Sequence, residues 1–184
     1  MFHIAFLFEY LQEWRDRVSH CMQSGARLQG ISDHKVSWAA YVADPEGNGL
    51  ELYWDLPKDS WPRDGDEVRM VTEPLDFEPT PFPIETRVNS ATIGHLHLQA
   101  SRLDQAHEYL DRLELRLTQS NYPGVLFMAR GDYHHHLAAN TWNTRPTSPR
   151  PENTTGLIEV GFSAPSSQTE AWTDDSGTRF IPLS

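Results

Sequence analysis

Apolar and polar positions along the chain alternate in two rhythms that succeed one another in a fixed order. Residues 2–8 alternate as a strand does. Residues 9–25 then place Leu11, Trp14, Val18, Cys21 and Met22 at spacings of three and four, predicting one apolar stripe on a helix that Gly25 ends. Residues 28–37 are less regular and carry Ser32-Asp33-His34 in a loop-like context. Strands are predicted over 38–43 and 50–54, joined by Asp44-Pro45-Glu46-Gly47-Asn48-Gly49, a turn dense in Gly and Asx signals. From 55 to 90 the composition shifts to Pro, Asp and Glu, with Pro57, Pro62, Pro74, Pro79, Pro81 and Pro83. This reads as a stiff linker with one short element around 68–72.

The first rhythm then restarts. Residues 93–100 form a strand, 103–113 a helix with Leu103, Ala106, Leu110 and Leu113 in its stripe, and 116–120, 125–129 and 133–140 three more strands. A shift of 92 residues lays His95 on His3 and Leu103 on Leu11, so the chain holds two copies of one supersecondary unit, each with a sheet face that cannot be buried alone. After Pro146, Pro149 and Pro151, residues 157–163 form a strand, and 174–183 echo the Asp44 turn and the strand after it. Too few residues separate these two pieces for a helix and two strands, so the tail reads as a third copy with its middle deleted. The predicted organisation is a module at 1–56, a linker at 57–91, a second module at 92–143, and a Pro-rich link with a remnant module at 144–184.

Six of the nine histidines fall in three strand-like segments: His3, the pair His95 and His97, and the run His134-His135-His136. Side-chain alternation puts His95, His97 and Gln99 on one face and Leu96, Leu98 and Ala100 on the other. A single strand histidine is most often a packed core residue. Several strands delivering imidazoles, the commonest metal ligand, into one cavity point instead to a metal site.

Charge and composition narrow the classes. The formal net charge is −11 and the pI about 5.1, with no cluster of Lys and Arg, which excludes a nucleic-acid binder. No run is long enough to cross a bilayer, and the patterned strand starts at once with no basic leader ahead of it. Cys21 is the sole cysteine, so no internal disulfide forms and a cytoplasmic location is expected; on the helix stripe it reads as an inert small hydrophobe.

Ser32-Asp33-His34-Lys35-Val36-Ser37, the run from Asp44 to Tyr53, Ile93-Gly94-His95-Leu96-His97-Leu98, and Gly131-Asp132-Tyr133-His134-His135-His136 through Asn140-Thr141-Trp142 resemble, in this order, the vicinal oxygen chelate superfamily (glyoxalase, bleomycin-resistance and extradiol-dioxygenase domains). The likeness is nearest to its bacterial catechol-2,3-dioxygenase branch and covers residues 1–142. The resemblance implies an α+β fold of paired βαβββ modules around a metal cavity, here with an incomplete C-terminal module. Full-length relatives of the branch have four modules, and Met1 stands where the second would begin. The resemblance also implies metal ligation by His3, Glu51 and His95, a two-histidine, one-carboxylate set that leaves positions open for substrate and dioxygen. His135 or His136 is expected in the last strand of the second copy as a further ligand or an acid/base group, with His34 and Tyr133 near the substrate. The implied function is Fe(II)-dependent extradiol cleavage of a catechol-type aromatic diol by a homodimer. The alternatives are a glyoxalase-like isomerase or lyase using Mn, Zn or Ni, and a truncated, non-catalytic binding module.

Overall fold

In a computed structural model the chain forms two compact units, residues 2–96 and residues 97–184. Residues 1–81, 90–142, 153, 155–163 and 169–183 are described; Pro83, Pro146, Pro149 and Pro151 lie outside them. The fold is α+β and built of βαβββ modules, as the resemblance implies.

In the first unit, strand β1 (His3–Leu7) leads into helix α1 (Leu11–Gln23), followed by β2 (Arg27–Asp33), β3 (Ser37–Ala43) and β4 (Gly49–Asp55). The meander β2-β3-β4 is antiparallel, and β1 closes against β4 in parallel, with His3 beside Gly49 and Ala5 beside Glu51. Two short strands, β5 (Arg63–Asp64) and β6 (Glu67–Val68), pair as a hairpin, and β7 (Glu73–Pro74) adds to the edge of β2. The segment read as irregular is strand β2: a register shift between Leu28 and Gly30 breaks the alternation that would have marked it.

Helix α1 buries Trp14 and Val18 against Phe8, Ala40 and Leu52, and the Trp14 indole N–H donates to the Leu52 carbonyl (2.8 Å). Leu11 and Cys21 pack at the margin of this core, and burial pushes the Cys21 thiol up from its ordinary value. Met22, expected in the stripe, is 39 % exposed. Residues of the Pro-rich stretch meet the helix: Leu75 and Phe77 join the same core, and Phe77 meets the Trp14 ring edge-on at 5.5 Å. The Thr80 N–H donates to Ser19 Oγ (2.7 Å), and Ser90 donates from its N–H (3.0 Å) and hydroxyl (2.5 Å) to the buried Glu13 carboxylate. Polar groups buried on α1 are thereby satisfied from outside the helix, which is what lets a helix carry Glu13 and Ser19 on a covered face.

Strand β8 (Thr92–Gln99) passes from the first unit into the second. There α2 (Leu103–Leu110) starts 92 residues after α1, as the sequence offset predicts, and β9 (Arg116–Gln119), β10 (Val125–Ala129) and β11 (Leu137–Asn140) follow in the order β8-β11-β10-β9. The Ala100 N–H donates to the Asn140 carbonyl (2.7 Å), the counterpart of the Phe8 N–H to the Tyr53 carbonyl (2.9 Å). Asn140 therefore stands where Tyr53 stands in the first module, and Ala138 where Glu51 stands. The cross-strand pairs agree: Phe127 with Ala138 and Val125 with Asn140 repeat Tyr41 with Glu51 and Ala39 with Tyr53.

The tail folds as β12 (Glu159–Ser163), β13 (Trp172–Thr173) and β14 (Arg179–Leu183), with β14 parallel to β12 and antiparallel to β13. This is the relation of β4 to β1 and β3. The turns match atom for atom: Asp44 Oδ1 accepts the N–H groups of Glu46 and Asn48, and Asp174 Oδ1 those of Ser176 and Thr178. Gly47 (φ 89°) and Gly177 (φ 84°) occupy the same left-handed position in the two turns. The equivalents of His3 and Glu51 in this third copy are Glu159 and Ile181, so it carries none of the expected ligand set.

Candidate metal centre

Glu51 is brought inward by the period of its strand: Glu51 and Tyr53 share a face of β4, while Leu52 turns to the helix side and packs with Trp14. His3 on β1 and His95 on β8 flank it. The three ligand atoms lie within 4.8 Å of one another and all three residues are buried. His3 Nε2 is 2.8 Å from Glu51 Oε2, and His95 Nε2 is 3.2 Å from the same oxygen. Burial pushes the Glu51 carboxyl up, but the charges of His95 and His3, and their hydrogen bonds, outweigh it and hold the group well below the usual carboxylate range.

These atoms fit a divalent metal. An ion binding three ligands at about 2.1 Å and at right angles sets neighbouring ligand atoms about 3.0 Å apart, and the two imidazole-to-carboxylate spacings here are 2.8 Å and 3.2 Å. Two imidazoles and a carboxylate on one side of the ion form a facial set.

Tyr41 and Tyr53 complete the surroundings, and the sequence reading singled out neither. Tyr41 is the cross-strand partner of Glu51, and its ring lies 5.7 Å from that of His3. The Tyr41 hydroxyl is 2.7 Å from His34 Nε2, while His34 Nδ1 is 2.6 Å from the Val71 carbonyl oxygen. A carbonyl only accepts, so Nδ1 carries the His34 proton and Nε2 accepts from Tyr41. The Asp44–Gly49 turn, which fixes the register of the hairpin, was the signal that would have placed Tyr41 opposite Glu51. Tyr53 is fully buried, and its ring packs on His95 at a centroid distance of 4.9 Å. Gly94 makes room for it: a Cβ there would sit 1.8 Å from the Tyr53 oxygen.

Tyr133, His135 and His136 belong to the second unit. The last strand begins only at Leu137, so the histidines precede it, and the position equivalent to Glu51 is filled by Ala138. The sequence pattern extends the strand to Tyr133 because Tyr133–Leu137 is an uninterrupted ring-rich run, whereas the backbone there bends before the ladder begins. Tyr133 stacks on His134 (4.1 Å), His134 Nδ1 faces His135 Nδ1 at 2.8 Å, and the Arg130 N–H donates to His136 Nδ1 (3.2 Å).

No family model matches the chain. A catechol-2,3-dioxygenase of Bacillus subtilis (strain 168) is 36 % identical, the match taking in 85 % of this chain and 58 % of that protein. The chain thus spans little more than half the length of this curated relative. Similar solved structures include a hypothetical protein from Bacillus halodurans C-125 (12 % identity, 75 % of this chain and 90 % of that one, TM-score 0.41). Methylmalonyl-CoA epimerase from Mycobacterium tuberculosis is another (14 % identity, 75 % and 84 %, TM-score 0.43). Among the described residues no helix is long and apolar enough to cross a membrane.

Proposed function

We propose that the chain is a member of the vicinal oxygen chelate superfamily its motifs resemble, that His3, Glu51 and His95 hold one divalent metal, Fe(II) by preference, and that the protein cleaves catechol-type aromatic diols, as the name of its Bacillus subtilis relative suggests. The observation that carries the proposal is the convergence of two buried imidazole nitrogens on one buried carboxylate oxygen. When bound, such a metal supplies a template for two adjacent hydroxyls and for dioxygen. In the overall reaction the ring bond beside the paired hydroxyls breaks and both atoms of O2 enter the product, as an aldehyde and a carboxylic acid at the cut ends. No external reductant is required.

The residues around the ligand set handle protons. Tyr41 can take a hydrogen bond from a substrate hydroxyl beside His3 and Glu51, and His34 Nε2 can draw off the phenolic proton, while the Val71 carbonyl holds the imidazole in the accepting tautomer. In the second unit His135 is proposed as an acid/base group: its Nδ1 lies 2.8 Å from His134 Nδ1, so one ring donates there and the other accepts. His136 and Tyr133, stacked beside this pair, are assigned to the same task on weaker contacts. Tyr41→Phe and His135→Ala are each expected to lower turnover about 100-fold while keeping the wild-type metal content. A loss of metal in parallel with activity would count against a proton-handling role.

We also assign the protein a homodimeric state. Ile158 is 70 % and Leu183 58 % exposed on the C-terminal sheet, apolar surface that a second copy would cover. Sedimentation equilibrium is expected to give twice the chain mass of 21.1 kDa; a monomer at micromolar concentration would reject this.

The function itself is tested by adding catechol to anaerobically Fe(II)-loaded protein, admitting O2 and analysing the product by mass. A ring-opened acid that has gained both oxygen atoms is expected. Unchanged catechol, or only the quinone that free iron also yields, would overturn the proposal. Activity with Mn, Zn or Ni on a chelating substrate without O2 consumption would favour the isomerase reading.

A further inference from the structure

The inner face of the second module repeats that of the first with different chemistry. Where the first module places Glu51, Tyr41 and Tyr53, the second places Ala138, Phe127 and Asn140. The matching backbone bond puts His97 beside Ala138 and Gln99 beside Asn140 on this face. The acidic ligand is gone, and an amide stands in its row.

Asn140 is 0 % exposed. Its Oδ1 accepts the Trp142 backbone N–H (3.1 Å), which fixes the orientation of the amide, since the reverse placement would set two donors face to face. Among the described residues its Nδ2 has no hydrogen-bond partner. A buried donor left in this state destabilises the fold, a cost that an acceptor arriving with a ligand removes. Aromatic rings surround the position. His97 meets Phe127 at 6.1 Å and Trp142 at 5.5 Å, and Tyr122 meets Phe127 at 5.7 Å and Trp142 at 6.1 Å, all tilted or edge-on. Trp142 is pinned at the rim: its indole N–H donates to the Pro123 carbonyl (3.0 Å), and it lies over Gly124, where a Cβ would come within 2.9 Å of the indole nitrogen.

We propose that this face of the second unit binds a planar aromatic molecule whose uncharged oxygen, a carbonyl or hydroxyl, accepts the Asn140 Nδ2 hydrogens. The rings supply tilted and edge-on packing for a flat apolar body. The residues named here include no Lys or Arg, and the chain carries a net charge of −11, so a neutral acceptor suits the site better than a carboxylate. Apolar walls with one placed polar group that sets orientation are the usual means by which a protein holds a small flat molecule. The inference goes beyond the metal-dependent reaction and needs no metal.

The test uses the full chain, stripped of metal with a chelator, and two probes of similar shape, acetophenone and ethylbenzene. Dissociation constants are read by ligand-observed NMR. Acetophenone is expected to bind about tenfold more tightly than ethylbenzene, the effect of one net hydrogen bond, even though ethylbenzene is the more apolar. In Asn140→Leu this preference should vanish while ethylbenzene binding stays within about twofold. Equal affinities in the wild-type protein, or no binding of either probe, would overturn the proposal whether or not the variant folds. A preference that survives Asn140→Leu would overturn it too. Loss of catechol cleavage with the acetophenone preference intact would instead count only against the metal-site reading.

Discussion

Glu51→Ala is expected to lower the affinity for a divalent metal by at least about 100-fold and to abolish turnover, because the carboxylate is the one anionic member of the set and the point on which both imidazoles converge. The same substitution should destabilise the metal-free protein at pH 7 by about 3 kcal/mol, the scale of two lost hydrogen bonds to a buried charged group. The sign of its pH dependence follows from the Glu51 carboxyl, which is held low in the folded state: burial opposes the charge, but His95 and His3 more than compensate. A group depressed in this way contributes fully above its unfolded value, about 4.3, and the contribution disappears as pH falls through the folded value. The gap between wild type and variant in the metal-free state should therefore be flat near neutrality and shrink below about pH 4. Titration calorimetry and denaturant unfolding read the two effects separately. Metal affinity within a few-fold of wild type would remove Glu51 from the ligand set.

Gly94→Ala carries the second large effect. A Cβ at this position would meet the Tyr53 oxygen at 1.8 Å, Cζ at 2.6 Å and Cε1 at 2.8 Å, and Tyr53 is fully buried with its ring on His95. The buried ring has no solvent-facing space to retreat into, so the expected loss is about 3 kcal/mol, or roughly 10 °C in the melting temperature. Displacing Tyr53 also removes the packing that orients His95, so metal affinity should fall along with stability. Shortening the obstructing side chain, in Gly94→Ala with Tyr53→Leu, should recover part of the lost melting temperature. A single variant that melts within 2 °C of wild type, by the same measure, would show that the approach of Tyr53 to Gly94 does not constrain the fold.

Much of the architecture was legible in the chain because the repeat is local and its signals are strong. The offset of 92 residues reappears in the starts of the two helices, and the Asp44 turn recurs hydrogen bond for hydrogen bond at Asp174. The ligand candidates came from strand position and from the family resemblance, and the backbone brings those three side chains together. What escaped the sequence reading was set by tertiary pairing. Strand β2 hides behind a register shift beside Gly30. Tyr41 matters because the hairpin register puts it across from Glu51, and His34 matters because Val71, far along the chain, holds its Nδ1. The prolines of the 57–91 stretch signalled stiffness, but the covering of Glu13 and Ser19 by Ser90 and Thr80 depends on where that stiff chain runs. The histidine run failed as a strand because three successive imidazoles look alike to a period-two pattern, and only the pairing of Leu137–Asn140 with β10 marks where the ladder begins.

Native mass spectrometry of anaerobically Fe(II)-reconstituted, gel-filtered protein measures most directly which residues hold the metal. One iron per chain is predicted for the wild type, with none retained by His3→Ala or by His95→Ala when circular dichroism shows each variant folded. Either variant keeping the wild-type ratio would contradict the assignment of the His3–Glu51–His95 site.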